Sequence, residues 1–206
     1  MADIDPRFKA ADVKVIARET RYKSFLQVDT FHLQHRLYEG GWSETIQREL
    51  LVKTPAIGVL LFDPERDELV MVRQFRIGML DEETSPWPLE LVAGLVDTDE
   101  SLEEVAMREI KEETGLFAED LLPICDYYNS PGASSEKVSL FCAKVDATQA
   151  GGFHGLDHEH EDIEVLAMAA EDALAAIDSG AFNNAMSMIA LQWFAMNKQM
   201  LVERWQ

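Results

Sequence analysis

The sequence contains few basic residues and very few cysteines. Of its 206 residues, 18 are Lys or Arg and 38 are Asp or Glu, which gives a formal net charge of −20. Proteins that bind nucleic acid or an anionic membrane surface use clustered Lys and Arg, so this composition argues against both kinds of partner. The same acidity repels a phosphate-bearing ligand unless metal cations lie between the protein's carboxylates and the phosphate.

The two cysteines, Cys125 and Cys142, are too few for a disulfide framework and form no Cys-x-x-Cys pair. We expect two free thiols in or near the core, with a single bridge as the alternative. The first residues show no basic segment followed by an apolar run, and no stretch approaches the ~18 apolar residues of a membrane span. These observations predict a soluble, cytoplasmic protein.

Strand and helix patterns divide the chain into two regions. Alternating residues predict an amino-terminal antiparallel β ribbon within residues 1–53, and residues 54–206 are predicted to form an α+β domain with helices outside a mixed sheet. The predicted strands are Val13–Arg18, Ser24–Leu37, Trp42–Leu51, Ala56–Phe62, Glu68–Phe75, Leu89–Ala93, Leu122–Tyr128, Lys137–Val145 and Asp162–Met168, and the predicted helices are Ser101–Thr114, Ala170–Ile177 and Asn183–Lys198.

The first predicted helix has clear signals at both ends. Ser101 and Glu104 have the spacing of a capping box, in which each side chain binds the other residue's backbone N–H. Gly115 suits the left-handed residue that ends a helix. Gly94 breaks the preceding strand, so the pattern predicts a strand, a charged loop and then the helix.

Carboxylates interrupt the apolar face of this helix. Leu102 and Val105 begin the face, and at 100° per residue Glu109 and Glu113 fall on it further along, with Glu112 at its edge. Such carboxylates repel one another, and Mg²⁺ or Mn²⁺ would offset the repulsion because both ions prefer oxygen ligands and bridge to phosphates. A solvated acidic face is the alternative, but the interrupted apolar face favours a metal site.

The same segment resembles the Nudix box. It has Gly94, five residues, Glu100, seven residues and then Arg-Glu-Ile-Lys-Glu-Glu-Thr-Gly-Leu over residues 108–116. The segment 89–94, the Ser-Pro-Gly turn at residues 130–132 and the amino-terminal ribbon resemble the bacterial ADP-ribose pyrophosphatase subgroup of the Nudix family. This resemblance covers nearly the whole chain.

The resemblance implies an α/β/α layered Nudix fold and hydrolysis of a nucleoside diphosphate linked to another group. For the subgroup it implies cleavage of ADP-ribose to AMP and ribose 5-phosphate, with Mg²⁺ as the cofactor, Mn²⁺ as the alternative ion and more than one ion per site. It further implies a homodimer whose amino-terminal ribbons cross to the partner. The alternatives are another nucleoside diphosphate sugar as substrate, or a non-catalytic module that senses ADP-ribose.

The resemblance also implies roles for individual residues near the metal. Glu109 and Glu113 would be the main ligands, the Ala93 carbonyl a further ligand, and Glu112 a catalytic glutamate close by. Arg108 would orient the glutamates through charge-assisted hydrogen bonds.

A glycine-rich loop at residues 151–162 would supply the general base. Glu159 aligns with the proposed base and Glu161 with an extra metal ligand, and the reverse order is the alternative. His158 and His160 flank these glutamates, so a transition-metal site is a further alternative to exposed loop histidines.

Substrate recognition is implied at five positions outside the box. Arg76 would contact the diphosphate, because Arg suits bidentate phosphate binding. Phe25 and Arg48 would lie around the adenine, and Ser130 and Glu136 near the terminal ribose. The alternatives are a strand core residue for Phe25 and a surface charge for Arg48.

Overall fold

The computed structural model describes residues 4–97, 99–156, 158 and 160–206. The chain divides into two compact units. The first comprises Met1–Thr54 together with Ser130–Glu136, and the second comprises Pro55–Asn129 and Lys137–Gln206.

The first unit is built on three antiparallel strands. β1 (Val13–Lys23) pairs with β2 (Gln27–His35), and β2 pairs with β3 (Ile46–Val52). The predicted antiparallel ribbon is confirmed, and β1 runs five residues beyond its predicted end at Arg18.

A buried aspartate is held between β1 and β2. Nε of Arg18 donates to Oδ2 of Asp29 over 2.6 Å, and Asp29 is fully buried. Burial raises the pKa of this carboxyl, but hydrogen bonds from Arg18, Thr20 and Gln27 outweigh it, so the pKa lies below its usual value. These partners therefore keep an ionised aspartate within the ribbon.

The second unit contains one mixed sheet with the strand order β10-β11-β5-β4-β9-β8. β6 pairs with β5 and β7 pairs with β4; only β4 and β9 among the described pairs run parallel. The strands are β4 (Ala56–Asp63), β5 (Glu68–Arg73), β6 (Leu89–Glu90), β7 (Val92–Leu95), β8 (Ala118–Tyr128), β9 (Lys137–Val145), β10 (Phe153–His154) and β11 (Ile163–Ala169).

Helices cover both faces of this sheet. They are α1 (Leu102–Thr114), α2 (Ala170–Asp178) and α3 (Ala185–Trp205). Because side chains alternate along a strand, Phe62 of β4 packs with Phe194 of α3, whereas Leu61 lies in the other core cluster with Val105 of α1. The predicted mixed sheet between helices is confirmed.

Some element boundaries differ from their predictions. α3 continues seven residues past Lys198 because Leu201 and Trp205 are buried, and Nε1 of Trp205 donates to Asp120 over 2.9 Å. β8 begins at Ala118, four residues earlier than predicted, and its pairing with β9 is irregular near Pro123, which has no N–H to donate.

The predicted strand Leu89–Ala93 is two strands in the structure, because β6 pairs with β5 and β7 with β4. β10 lies within the segment predicted to be a loop.

Both cysteines are free; Cys142 is buried, and Cys125 is exposed, so its expected place in or near the core was wrong. Across the described residues, no helix is both long and apolar enough to cross a membrane.

The contact between Phe62 and Phe194 makes a testable contribution to stability. Their ring centroids lie 4.9 Å apart in an edge-on arrangement, and both side chains are buried. We expect Phe194→Ala to lower the free energy of unfolding by about 3–5 kcal/mol, since it leaves a cavity between the sheet and α3. Urea unfolding followed by circular dichroism measures this change.

Met196→Ala in the same helix is the matched control, because Met196 is 78% exposed. We expect it to change the free energy of unfolding by no more than about 0.5 kcal/mol. Equal effects of the two substitutions would contradict the assigned packing of α3.

Candidate active site

Helix α1 is fixed at both ends by its own sequence. The Glu104 N–H donates to Oγ of Ser101 over 3.2 Å, and the Ser101 N–H donates to the Glu104 carboxylate over 2.8 Å. Gly115 has φ +71° and its N–H donates to the Lys111 carbonyl over 2.9 Å. The predicted capping box and glycine cap are confirmed, so the helix presents its glutamates from a defined start.

Gly94 allows the glutamate helix to approach β7. A methyl group on Gly94 would lie 2.1 Å from the carboxyl carbon of Glu109, much closer than two such atoms can come. One residue earlier, the Ala93 N–H donates to Oε2 of Glu113 over 3.2 Å. Two carboxylates of α1 therefore meet the backbone of one strand, and a side chain at residue 94 would displace the Glu109 carboxylate from its place.

Arg108 is the cation nearest to three glutamates. Its guanidinium donates to Glu109 over 2.8 Å, to Glu112 over 2.9 Å and to Glu100 over 3.2 Å. Burial lowers the pKa of Arg108, but these carboxylates outweigh burial and hold the pKa above its usual value. Arg108 therefore links Glu109 to Glu112, and it connects the loop before α1 to the helix through Glu100.

Glu109 and Glu113 are poorly compensated as anions. Burial raises the pKa of Glu109 to about 7; Arg108 opposes the rise, and the charges of Glu112 and Glu161 add to it. Glu113 is only 1% exposed, and burial raises its pKa well above the usual value. The Ala93 N–H and the charge of Arg76 oppose this rise, and the charges of Glu109 and Glu161 add to it. The protein therefore supplies too little positive charge for both carboxylates.

This donor set fits a hard divalent cation. The buried groups are carboxylates, which Mg²⁺ and Mn²⁺ prefer, and a cation would lower both raised pKa values. Within the described residues, no three Asp, Glu, His or Cys side chains are already gathered as a metal cluster. Instead the Arg108 guanidinium binds Glu109 and Glu112, and the Ala93 N–H binds Glu113.

Glu161 acts electrostatically on the same carboxylates. Its charge raises the pKa of both Glu109 and Glu113, so the structure brings the carboxylate of the 151–162 loop to the glutamate helix. Its backbone N–H donates to the Leu156 carbonyl over 3.4 Å. Glu159, the predicted base, lies outside the described residues.

Arg76 lies near the glutamates and is held by Glu90, a residue for which no role was predicted. Nε of Arg76 donates to Oε2 of Glu90 over 2.7 Å, and the charge of Arg76 lowers the pKa of Glu113. Glu90 lies in segment 89–94, which carried part of the family resemblance, but no role was predicted for it because its contact with Arg76 joins residues fourteen positions apart.

The other four predicted recognition residues belong to the first unit. Phe25 is 92% exposed, so the alternative of a strand core residue is wrong. Arg48 is exposed and donates to the Gln47 carbonyl over 2.8 Å, and Glu136 lies 3.5 Å from Nζ of Lys53. Ser130 accepts backbone hydrogen bonds at its carbonyl from Ala133 and Ser134. Their roles in substrate binding stay predictions.

Known proteins resemble this chain in sequence and in fold. It is 42% identical over 198 residues to the ADP-ribose pyrophosphatase of Escherichia coli (strain K12), covering 96% of this chain and 95% of that protein. It is 34% identical over 152 residues to the GDP-mannose pyrophosphatase of Cronobacter sakazakii (strain ATCC BAA-894), covering 71% and 76%. A crystal structure of an ADP compounds hydrolase shares the fold with a TM-score of 0.71 at 22% identity, covering 94% of this chain and 96% of that chain.

The sequence also matches a family model called NUDIX domain over residues 52–186. That range includes the sheet, the glutamate helix, Arg76 and the loop with Glu161. Because the matched region contains the whole arrangement built up above, the chain belongs to the NUDIX domain family.

Proposed function

We propose that the chain hydrolyses the pyrophosphate of ADP-ribose to AMP and ribose 5-phosphate with the help of divalent cations. The observation that carries this proposal is the pair of poorly compensated carboxylates, Glu109 and Glu113, on a helix packed against Gly94. The relative named ADP-ribose pyrophosphatase, which matches nearly the full length of the chain, supports the choice of substrate.

The residues that would hold the cations are Glu109 and Glu113, with the Ala93 carbonyl and Glu161 as further ligands. We propose Mg²⁺, with Mn²⁺ as a substitute and more than one ion per site, because several carboxylates share this small region. When bound, such ions neutralise a pyrophosphate and make water a better nucleophile. The bound charge also removes the repulsion between this acidic chain and an anionic substrate.

Other residues would position the substrate and move a proton. Arg76, held by Glu90, is suited to bind the diphosphate, and its planar guanidinium matches two phosphate oxygens. Glu159 would accept the proton of the attacking water, with Glu161 as the alternative base. Arg108 would keep Glu109 and Glu112 in place during the reaction.

The remaining recognition residues complete the proposal. Phe25 and Arg48 would bind the adenine by stacking, and Ser130 and Glu136 would bind the hydroxyl groups of the terminal ribose. A homodimer with exchanged amino-terminal ribbons and a cytoplasmic location also stay predictions. A non-catalytic sensor of ADP-ribose is disfavoured, because binding alone does not require so many glutamates beside the substrate.

A second substrate class is favoured by one observation. A relative named GDP-mannose pyrophosphatase aligns with 71% of this chain, and a site for a diphosphate does not by itself specify the groups on either side. Another nucleoside diphosphate sugar is therefore the alternative substrate.

The substrate proposal predicts the outcome of a comparison of ADP-ribose, ADP-glucose and GDP-mannose in the presence of Mg²⁺. We expect the highest kcat/KM for ADP-ribose, with AMP and ribose 5-phosphate as products, and no turnover when a chelator removes the metal. Chromatography of the products measures all three reactions. A higher kcat/KM for GDP-mannose would replace the proposed substrate, and turnover in the chelator would refute the metal requirement.

The metal proposal predicts the effect of Glu113→Gln. We expect kcat/KM to fall by at least about 100-fold. Loss of a residue that only hydrogen-bonds a metal ligand already costs about 10–100-fold in activity, and loss of the ligand itself should cost no less. Without metal the variant is expected to keep or raise its Tm, since the substitution removes a poorly compensated buried carboxylate. With Mg²⁺ the original protein gains stability by binding, and the variant gains less. Differential scanning calorimetry and initial rates measure these effects.

Glu103→Gln is the matched control for charge, since Glu103 lies in the first turn of the same helix and is exposed. We expect it to leave the rate and the stabilisation by Mg²⁺ nearly unchanged. If Glu113→Gln behaved like Glu103→Gln, Glu113 would not be a metal ligand.

A further inference from the structure

His154 connects the 151–162 loop to the end of the glutamate helix. The residue lies in β10, and a methyl group on Gly115, the cap of α1, would lie only 3.0 Å from Cε1 of its ring. Nε2 of the same ring lies 3.0 Å from the Gly151 carbonyl oxygen. The imidazole therefore contacts the helix on one side and the start of the loop on the other.

The next residue continues this connection to Glu161. Gly155 has φ +100°, and a methyl group there would lie 2.7 Å from Cβ of Glu161 and 3.1 Å from its carbonyl oxygen. The Leu156 N–H also donates to Oε2 of Glu161 over 3.3 Å. The backbone directly after His154 thus fixes both the main chain and the carboxylate of Glu161.

The strand pairing of this segment is short. β10 has two residues, and its pairing with β11 joins Phe153 to Glu164 and His154 to Ile163. So short a strand holds a loop weakly by itself, so additional contacts decide where the loop lies. The ring of His154 supplies such a contact, because it rests on the capped end of α1.

We propose that His154 is a positioning residue that sets the place of Glu161 relative to Glu109 and Glu113. The connection runs from the cap of α1, through the imidazole and Gly155, to the carboxylate. This inference rests on the proposed function, because its catalytic consequence is expressed through Glu161. Misplacing a catalytic group by about 1 Å can cost up to about 100-fold in rate, so a single ring contact can matter.

A double-mutant cycle tests this proposal with Mg²⁺ and ADP-ribose. We expect His154→Ala to lower kcat by about tenfold or more with little change in KM, since the substrate contacts lie elsewhere. In the Glu161→Gln background, the same substitution should cost almost nothing, because the group that it positions is already altered. His154→Gln should recover part of the loss, since its amide can bind the Gly151 carbonyl.

The proposal would be overturned if the His154 substitution lowered kcat by the same factor in the original protein and in the Glu161→Gln variant. An unchanged kcat in His154→Ala would also overturn it. Phe153→Ala is the matched control, because Phe153 is the exposed neighbour in β10 and its side chain points to the opposite face. It should leave kcat nearly unchanged.

Amide hydrogen exchange separates failure of this inference from failure of the proposed function, since it requires no turnover. His154→Ala should speed exchange at Leu156 and Glu161, whereas Phe153→Ala should not. Unchanged exchange in His154→Ala would refute the anchoring role even if ADP-ribose were hydrolysed. If the original protein hydrolysed no nucleoside diphosphate sugar, faster exchange would support the anchor, and only the proposed function would fail.

Discussion

The site depends on a buried electrostatic conflict between Glu109 and Glu113. Two carboxylates occupy a helical face that would ordinarily be apolar, and β7 approaches so closely that a Cβ at residue 94 would displace the Glu109 carboxylate. Burial raises both pKa values, and the charges of neighbouring carboxylates add to the rise, so the protein without a bound cation has too little positive charge at this site. A divalent cation would resolve this conflict and would at the same time make the site attractive to a pyrophosphate.

Helix caps and apolar packing hold these carboxylates in place. Helix α1 begins at a capping box and ends at Gly115, and buried Val105 and Ile110 pack it on one face of the sheet. Arg108 binds Glu109 and its neighbours without removing their net negative charge. One helix thus carries both core residues, such as Val105 and Ile110, and the poorly compensated carboxylates of Glu109 and Glu113.

Local signals in the sequence predicted this helix well, because capping, helical periodicity and the glycine before it depend on nearby residues. They also predicted the layered sheet and the three-stranded ribbon. Contacts between distant segments were harder to predict. The bond between Arg76 and Glu90 and the position of His154 on Gly115 require the folded sheet. The end of α3 was missed because Trp205 is held by Asp120, a residue far away in the sequence. Glu159 lies outside the described residues, so its predicted role as the base stays a prediction.

The release of protons upon metal binding tests most directly whether Glu109 and Glu113 form a site for a divalent cation. Calorimetric titration of the substrate-free protein with Mg²⁺, near pH 7 in buffers of different ionisation enthalpy, yields both the affinity and the number of protons released. We expect binding with net proton release, because a cation must displace protons from carboxylates whose pKa values burial has raised. Absence of binding, or binding without any proton release, would contradict it.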